Sequence, residues 1–222
     1  MSDIQKNIGA LRTEIPAHVK LVAVSKKKPA SDILEAYHAG QKIFGENYVQ
    51  EITTKYPELP TDIEWHFIGH LQSNKVKFVT PFVHWIHGVE SEKLLTEINK
   101  QAYKNQRRIN CLLQVHIAKE ESKFGFSPEE VVAFCRKTDF TQYANCQICG
   151  LMGMATFTED ESIIRSEFRL LRETFDMLKQ EVFSHQTTFN ELSMGMSADW
   201  KIAVEEGSTM VRIGSSIFGS RG

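Results

Sequence analysis

Short apolar segments alternate with amphipathic segments along the whole chain. A short, unbroken apolar run is typical of a strand buried on both faces, as in a parallel sheet. The amphipathic segments instead repeat apolar residues three and four positions apart, as helices do. The pattern predicts eight strands, at about residues 20–25, 42–45, 64–69, 82–86, 109–117, 146–152, 189–193 and 209–214. Helices are predicted at about 2–13, 31–40, 46–57, 73–81, 91–104, from 127 onward, 160–182 and 197–207.

The regular alternation of strands and helices indicates an α/β fold with a parallel sheet. Eight βα units fit a (β/α)8 TIM barrel, with the helix at residues 2–13 as an N-terminal addition. We expect a single domain over residues 1–222, because no stretch rich in proline, glycine and serine divides the chain. An open, doubly wound sheet is the alternative.

Composition and charge narrow the functional classes. Hydrophobic residues make up 41% of the chain and charged residues 24%, which suits an ordinary soluble core. The net charge of -2 argues against a protein that binds nucleic acid or an anionic membrane. No apolar run is as long as a membrane span, and residues 1–6 lack the apolar core of a signal peptide. We therefore expect a cytoplasmic protein.

The cysteines and histidines give weaker signals. Cys146 and Cys149 have the C-x-x-C spacing of a redox or zinc site, but they lie in a predicted strand, where positions three apart point to opposite faces. No second cysteine pair follows, and His84 and His87 lack the spacing of metal ligands. We interpret His66, on the third predicted strand, as a barrel histidine rather than a catalytic one.

The first apolar run, residues 21–24, leads almost directly into Lys26. In parallel α/β folds, ligands bind at the carboxyl ends of the strands. A partly desolvated lysine at that end would have a lowered pKa, and its neutral amine could form a Schiff base with an aldehyde. The alternative is a lysine that only extends its charged end from a strand terminus into water.

Glycine and serine follow the seventh and eighth predicted strands, where many such barrels bind phosphate. Small residues let backbone N–H groups approach a phosphate, and hydroxyls add further donors. The residues of this kind are Gly195, Ser197, Gly214, Ser215 and Ser216, and Ser197 is also the predicted N-cap of the next helix. Ordinary turn formation is the alternative reading of the same residues.

Lys26 and this phosphate cradle should face the same end of a closed barrel, because its eighth strand lies beside its first. A ligand with an aldehyde at one end and a phosphate at the other would span them. Pyridoxal 5'-phosphate has this shape and is commonly bound through a lysine.

Five motifs strengthen this hypothesis, and they span residues 24–214. They are VSK at 24–26, FGENYVQE at 44–51, WHFIG with LQSNK at 65–69 and 71–75, LSMGMS at 192–197 and GSTMVRIG at 207–214. With them the chain resembles the pyridoxal phosphate homeostasis protein family, a barrel similar to the N-terminal domain of bacterial alanine racemase. The resemblance implies that Lys26 carries the cofactor as an internal aldimine, that Arg212 faces the pyridine nitrogen and that Asn47 lies near the cofactor. It also implies a phosphate site formed by Ser193, Gly195, Ser197, Gly214 and Ser215.

The sequence departs from the family pattern at a few positions. His70 stands where many members have proline, and Lys27 replaces a more usual threonine. Lys123 falls where the family tends to carry a lysine, and it is either a solvated loop cation or a second, weaker aldehyde-reactive site. Neither departure, at His70 or at Lys27, changes the chemistry assigned to Lys26.

Arg212 bears on whether this site catalyses a reaction. A guanidinium only donates hydrogen bonds, so a ring nitrogen facing it stays unprotonated and makes the ring a weak electron sink. We expect a protein that buffers or delivers the cofactor without turnover, acts as a monomer and supplies apo enzymes that use pyridoxal phosphate. A weak racemase or lyase is the main alternative, although alanine racemases use a tyrosine base from a second domain. A cofactor-free, phosphate-binding barrel enzyme is the other.

Overall fold

The computed structural model describes residues 2–119 and 124–219, and within them eight parallel strands close into a barrel. Each strand pairs with the next along the chain, and β8 pairs with β1 through a register that joins Val22 to Arg212. The predicted (β/α)8 barrel is therefore confirmed, and the open sheet is wrong. The strands are β1 (Lys20–Val24), β2 (Ile43–Glu46), β3 (Glu64–Phe67), β4 (Trp85–Val89), β5 (Ile109–Gln114), β6 (Cys146–Met152), β7 (Glu191–Met196) and β8 (Met210–Ile213).

Helices surround the barrel, and the predicted N-terminal helix is present as an addition that packs against the second and last helices. Its N-terminus is fixed by a capping box, in which Ser2 and Gln5 exchange hydrogen bonds with each other's backbone amides. The helices are α1 (Asp3–Glu14), α2 (Ala30–His38), α3 (Val49–Lys55), α4 (Val76–Val79), α5 (Glu92–Lys104), α6 (Pro128–Lys137), α7 (Glu161–Glu181), α8 (Trp200–Glu205) and α9 (Ser215–Phe218). No helix among the described residues is long and apolar enough to cross a membrane.

Several boundaries differ from those predicted, and three of these differences bear on the site. The fourth strand begins at Trp85 instead of residue 82, because Phe82 and Val83 are buried in the turn that precedes it. The seventh strand continues to Met196 instead of ending at residue 193. The N-cap of α8 is Asp199 and not Ser197, and the short helix α9 was not predicted.

The barrel separates two apolar regions. Leu21 and Ala23 belong to the larger core between strands and helices, whereas Val22 packs inside the barrel. Among the described residues, the buried apolar side chains that pack inside the barrel are Val22, Trp85, Leu112, Cys149, Met152 and Met210. Cys146 belongs to the outer core and Cys149 to the inner one, so the two point to opposite faces of β6, as the strand assignment predicts.

Candidate functional site

A cavity of about 340 Å³ opens at the carboxyl-terminal end of the barrel, between the loops that follow β1, β2, β3, β6, β7 and β8. Small-molecule sites are commonly cavities of roughly 300–1,000 Å³ with a few convergent polar groups. Of the predicted site residues, those that line this cavity are Lys26, Asn47, Ser197, Arg212, Gly214 and Ser215. The fold thus brings the first strand and the last two strands together at one site.

Lys26 lies two residues beyond the end of β1 and is partly buried in the cavity wall. The amide of Lys28 donates a hydrogen bond to the carbonyl of Ser25 across 3.0 Å, and this closes a turn around Lys26. Within that turn Lys27 has a left-handed φ of 61°, which is uncommon for a residue other than glycine. A tight turn therefore presents the lysine at the mouth of the barrel, where the apolar run predicts it.

A charge cluster formed by the buried Glu46 and Lys55 and the partly buried Glu51 is hydrogen-bonded to this turn. The ammonium of Lys55 donates to Glu46 and to Glu51, at 2.8 Å in both cases, and to the carbonyl of Ser25 at 3.0 Å. The hydroxyl of Ser25 donates to Glu46 at 2.7 Å, and the amide of Lys27 donates to Glu51 at 2.7 Å. Ser25 and Lys27, on either side of Lys26, are both hydrogen-bonded to this cluster. The cluster therefore fixes the backbone position of Lys26.

The pKa values of the two carboxylates in the cluster shift in opposite directions. Burial raises the pKa of Glu46, although hydrogen bonds from Lys55 and Ser25 act to lower it. For Glu51 burial also acts to raise the pKa, but hydrogen bonds from Lys55 and from the amide of Lys27 lower it below its ordinary value. Glu46 is thus the more costly charge to bury, and its ionised form depends on Lys55.

Asn47 contributes an unsatisfied acceptor to the cavity. Its Oδ1 atom is buried and has no hydrogen-bond partner among the described residues. Gly69 packs so closely on the backbone of Asn47 that a Cβ at position 69 would lie 2.3 Å from the carbonyl oxygen of Asn47. Buried polar atoms are almost always hydrogen-bonded. The free oxygen therefore fits a ligand that donates a hydrogen bond.

The guanidinium of Arg212 is buried at the base of the cavity. It donates to the hydroxyl of Ser193 at 2.6 Å and to the carbonyl of Gly153 at 2.9 Å. Burial lowers the pKa of Arg212 to about 10, and the nearby carboxylate of Asp199 opposes this shift. The group still carries its charge at neutral pH, and two of its five N–H bonds are used by these two acceptors.

Three predicted residues of the phosphate cradle, Ser193, Gly195 and Ser216, do not line the cavity. Ser193 is fully buried inside the barrel, where its hydroxyl accepts the hydrogen bond from Arg212. Gly195 has a φ of 94°, and a Cβ there would lie 2.6 Å from the side chain of Ala203, so glycine is needed for packing. Because β7 extends to Met196, Ser193 and Gly195 belong to the strand and not to the loop after it.

The remaining cradle residues come together. The hydroxyl of Ser197 accepts a hydrogen bond from the amide of Gly214 at 3.3 Å, which joins the loops after β7 and β8. Ser215 lines the cavity beside them. Asp199 lines it as well and accepts from the amide of Met196 at 2.5 Å, and burial raises the pKa of this carboxyl. The cradle thus combines donors with one carboxylate, which the sequence interpretation does not assign to the site.

The loop after β6 forms a wall that sequence reasoning missed. Residues 154–158 line the cavity, and the buried carboxylate of Glu167 holds Thr156 through its amide at 2.7 Å and its hydroxyl at 2.8 Å. A signal for this role exists in the sequence. Glu167 lies three residues after Ile164 and four before Leu171, on the apolar face of α7, where a carboxylate needs a specific partner.

The other predicted positions lie away from the cavity. His66 is buried inside the barrel and does not line the cavity, which agrees with its interpretation as a barrel histidine. His70 is exposed, with its Nδ1 atom 3.2 Å from a carboxylate oxygen of Glu90. Lys123 lies outside the described residues. Within those residues, no three histidine, cysteine or acidic side chains cluster as metal ligands.

Comparison with known proteins gives a consistent result. The family model described as "Alanine racemase, N-terminal domain" matches residues 1–222. A pyridoxal phosphate homeostasis protein of Haemophilus influenzae is 42% identical over 206 residues, which is 91% of this chain and 85% of that protein. One from Homo sapiens is 39% identical and covers 98% of this chain and 82% of its own length. The solved structure of PipY from Synechococcus elongatus PCC7942 with PLP bound is 38% identical, has a TM-score of 0.88 and covers 97% of this chain and 100% of that one.

Proposed function

This chain belongs to the family of pyridoxal phosphate homeostasis proteins, and from that premise we propose that it binds pyridoxal 5'-phosphate through Lys26 and buffers or delivers it. One observation carries the proposal. A single cavity holds the amine of Lys26, the unpaired acceptor of Asn47, the buried cation of Arg212 and the two joined loops at Ser197 and Gly214.

The residues of the cavity fit the groups of this cofactor. When bound, the cofactor supplies an aldehyde that condenses with a primary amine. Asn47 presents an acceptor for its phenolic hydroxyl, and Arg212 presents N–H donors for its ring nitrogen. Ser197, Gly214 and Ser215 would hold the phosphate through hydroxyl and backbone donors.

We further propose that the site holds the cofactor without catalytic turnover. Arg212 cannot give a proton to the ring nitrogen, so the ring remains a weak sink for electrons. Among the described residues that line the cavity there is no tyrosine or histidine to serve as a second base. Apo enzymes that require this cofactor are the proposed recipients, and we expect the chain to act as a monomer in the cytoplasm.

The visible spectrum tests the binding proposal. The purified protein incubated with pyridoxal 5'-phosphate should show the absorption band of the lysine-bound cofactor, and borohydride should fix the label on Lys26 in a peptide map. Lys26→Ala should lose the band. Lys28→Ala is the matched control, because Lys28 also lines the cavity and should leave the band in place. A band that persists in Lys26→Ala would assign the attachment to another lysine, with Lys123 examined first.

Assays with amino acids test the absence of turnover. The loaded protein is mixed with D- and L-amino acids, and racemisation and conversion of the cofactor to its amine form are followed. We expect neither reaction to exceed the rate of the free cofactor. Rapid racemisation, or rapid conversion by the wild-type protein, would favour the enzyme alternative.

A further inference from the structure

A hydrogen-bonded chain of polar side chains crosses the interior of the barrel and ends at Arg212. Glu64 Oε1 lies 3.1 Å from Nε2 of His66, and Nδ1 of His66 lies 2.9 Å from Nε2 of His87. Nδ1 of His87 lies 3.1 Å from the hydroxyl of Ser193, and Arg212 donates to the same hydroxyl at 2.6 Å. We call Glu64, His66, His87 and Ser193 the barrel relay.

The two ends of the relay impose the same direction on every hydrogen bond. An ionised carboxylate only accepts, so Glu64 requires an N–H at Nε2 of His66. A guanidinium only donates, so the Ser193 oxygen accepts from Arg212 and its own proton is left to point at Nδ1 of His87. His87 then carries its proton on Nε2 and donates to the bare Nδ1 of His66. Each group in the relay therefore has one defined role.

The charge states of the relay agree with this order. The hydrogen bond from His66 lowers the pKa of Glu64 despite partial burial, and Trp85 donates to the same oxygen at 2.8 Å, so the carboxylate is ionised. Burial lowers the pKa of His66 and lowers that of His87 further, so both rings are neutral. A neutral imidazole has one donor and one acceptor nitrogen, which is what each ring needs here.

The position of the relay is unusual for a barrel. The interior of a TIM barrel is normally filled by branched apolar side chains. Here His66 and His87 are fully buried, and the contact between His87 and Ser193 reaches from β4 to β7 across the interior. Buried polar groups are destabilising unless every partner is present. The relay is complete and takes the place of apolar packing. This points to a role at the end formed by Ser193, because Ser193 contacts Arg212 and Arg212 lines the cavity.

We propose that Glu64, His66, His87 and Ser193 are positioning residues that hold the guanidinium of Arg212 toward the cavity through a single, fixed proton order. The Ser193 oxygen accepts the hydrogen bond that orients Arg212, while the Ser193 hydroxyl donates its own hydrogen bond to Nδ1 of His87. The carboxylate of Glu64 sets this order from the opposite end. The part of the inference that concerns the cofactor rests on the proposed function.

The proton order is measured directly by NMR on the full-length protein with the cofactor removed. Nitrogen-15 spectra of the imidazole rings at neutral pH distinguish the two neutral tautomers from imidazolium. We expect Nε2–H for both His66 and His87, assigned through His66→Gln and His87→Gln variants. A proton on Nδ1 of either ring in the wild-type protein, or a doubly protonated ring, would overturn the fixed order.

The positioning role is tested through Ser193. Ser193→Ala keeps the barrel packed but removes the acceptor of Arg212, and we expect affinity for pyridoxal 5'-phosphate to fall about tenfold, with a shift of the absorption maximum of the bound cofactor. Ser193→Thr keeps a hydroxyl and should restore both. Met210→Leu is the control, because the side chain of Met210 belongs to the apolar packing of the same interior and is not a member of the barrel relay.

These outcomes separate the two proposals. If the wild-type protein does not bind the cofactor, the proposed function fails, but the histidine tautomers in the cofactor-free protein still decide the proton order. If the wild type binds and Ser193→Ala keeps the wild-type affinity and spectrum, the positioning role is wrong while the proposed function stands. A stability change shared equally by Ser193→Ala and Met210→Leu, with neither spectrum altered, would also reject it.

Discussion

The ammonium of Lys55, on α3, donates a hydrogen bond to the backbone carbonyl of Ser25, the residue directly before Lys26. The same ammonium neutralises the fully buried carboxylate of Glu46 and the partly buried one of Glu51. The position of the proposed attachment lysine thus depends on a charge that lies 29 residues further along the chain.

We predict that Lys55→Met lowers both stability and cofactor attachment. Methionine has a similar length but leaves Glu46 buried without its cation, and breaking a buried ion pair commonly costs about 3–5 kcal/mol. Release of the Ser25 carbonyl should also loosen the turn, so Lys26 should react with pyridoxal 5'-phosphate more slowly. Urea unfolding measures the first effect and the growth of the visible band measures the second.

Lys201→Met is the matched control for this prediction. Lys201 forms an exposed ion pair with Glu14, and such pairs contribute little to stability. Equal effects of the two substitutions would show that the cluster does not anchor the turn. A stable Lys55→Met variant that reacts at the wild-type rate would contradict the prediction in the same way.

The barrel and the place of Lys26 could be predicted from the sequence because both depend on local patterns. Residues 21–24 form a short apolar run, and the end of such a run fixes the position of Lys26. The Glu46–Lys55–Glu51 cluster could not be predicted, since Lys55 looks like a surface residue of a short helix. Its burial follows from how α3 packs on the barrel.

The barrel relay was missed for a related reason. The sequence pattern predicts the fourth strand at residues 82–86, three residues too early. His87 therefore falls after the predicted strand, although it lies within β4. His66 and His87 come into contact only when β3 and β4 pair, and Ser193 reaches His87 only across the closed barrel. Contacts of this kind depend on strand register, which apolar patterns define only approximately.

A second prediction concerns the unpaired oxygen of Asn47. An unsatisfied buried polar group is destabilising by about 1–3 kcal/mol, so Asn47→Ala should leave the unfolding free energy of the cofactor-free protein unchanged or higher. The same variant should bind pyridoxal 5'-phosphate about tenfold more weakly, because the acceptor is lost. Denaturant unfolding and spectroscopic titration measure the two effects. A loss of stability with wild-type affinity would mean that Asn47 serves the fold and not the ligand.

A third prediction concerns the backbone at Gly214. A Cβ there would lie 3.2 Å from the carbonyl oxygen of Val24, so Gly214→Ala should displace the loop that is expected to hold the phosphate. We expect weaker binding of pyridoxal 5'-phosphate and little change for pyridoxal, which lacks the phosphate. Gly9→Ala is the control, since among the described residues no atom outside its own helix backbone and chain neighbours lies within 4 Å of a Cβ there, and alanine favours a helix. An equal loss for both ligands would remove Gly214 from the phosphate site.

The last prediction concerns the stability of the protein in mild acid. His66 and His87 have pKa values below the ordinary 6.5 because both are buried, and Arg212 adds to the effect at His87. In the unfolded chain both side chains take up protons near their ordinary pKa, whereas in the folded protein they do not. The unfolded state therefore binds more protons below about pH 6.5, and the unfolding free energy should fall as the pH decreases from there.

Each buried histidine contributes a slope of up to about 1.4 kcal/mol per pH unit, and urea unfolding between about pH 5 and pH 8 measures the sum. His87→Gln keeps a donor and an acceptor but cannot take up a proton, so its slope should be smaller by about one histidine's contribution even if its stability is lower at every pH. His38→Gln, at an exposed position on α2, should leave the slope unchanged. An identical slope in the wild type and His87→Gln would mean that His87 already binds a proton in the folded protein, which contradicts both its neutral state and the proton order of the barrel relay.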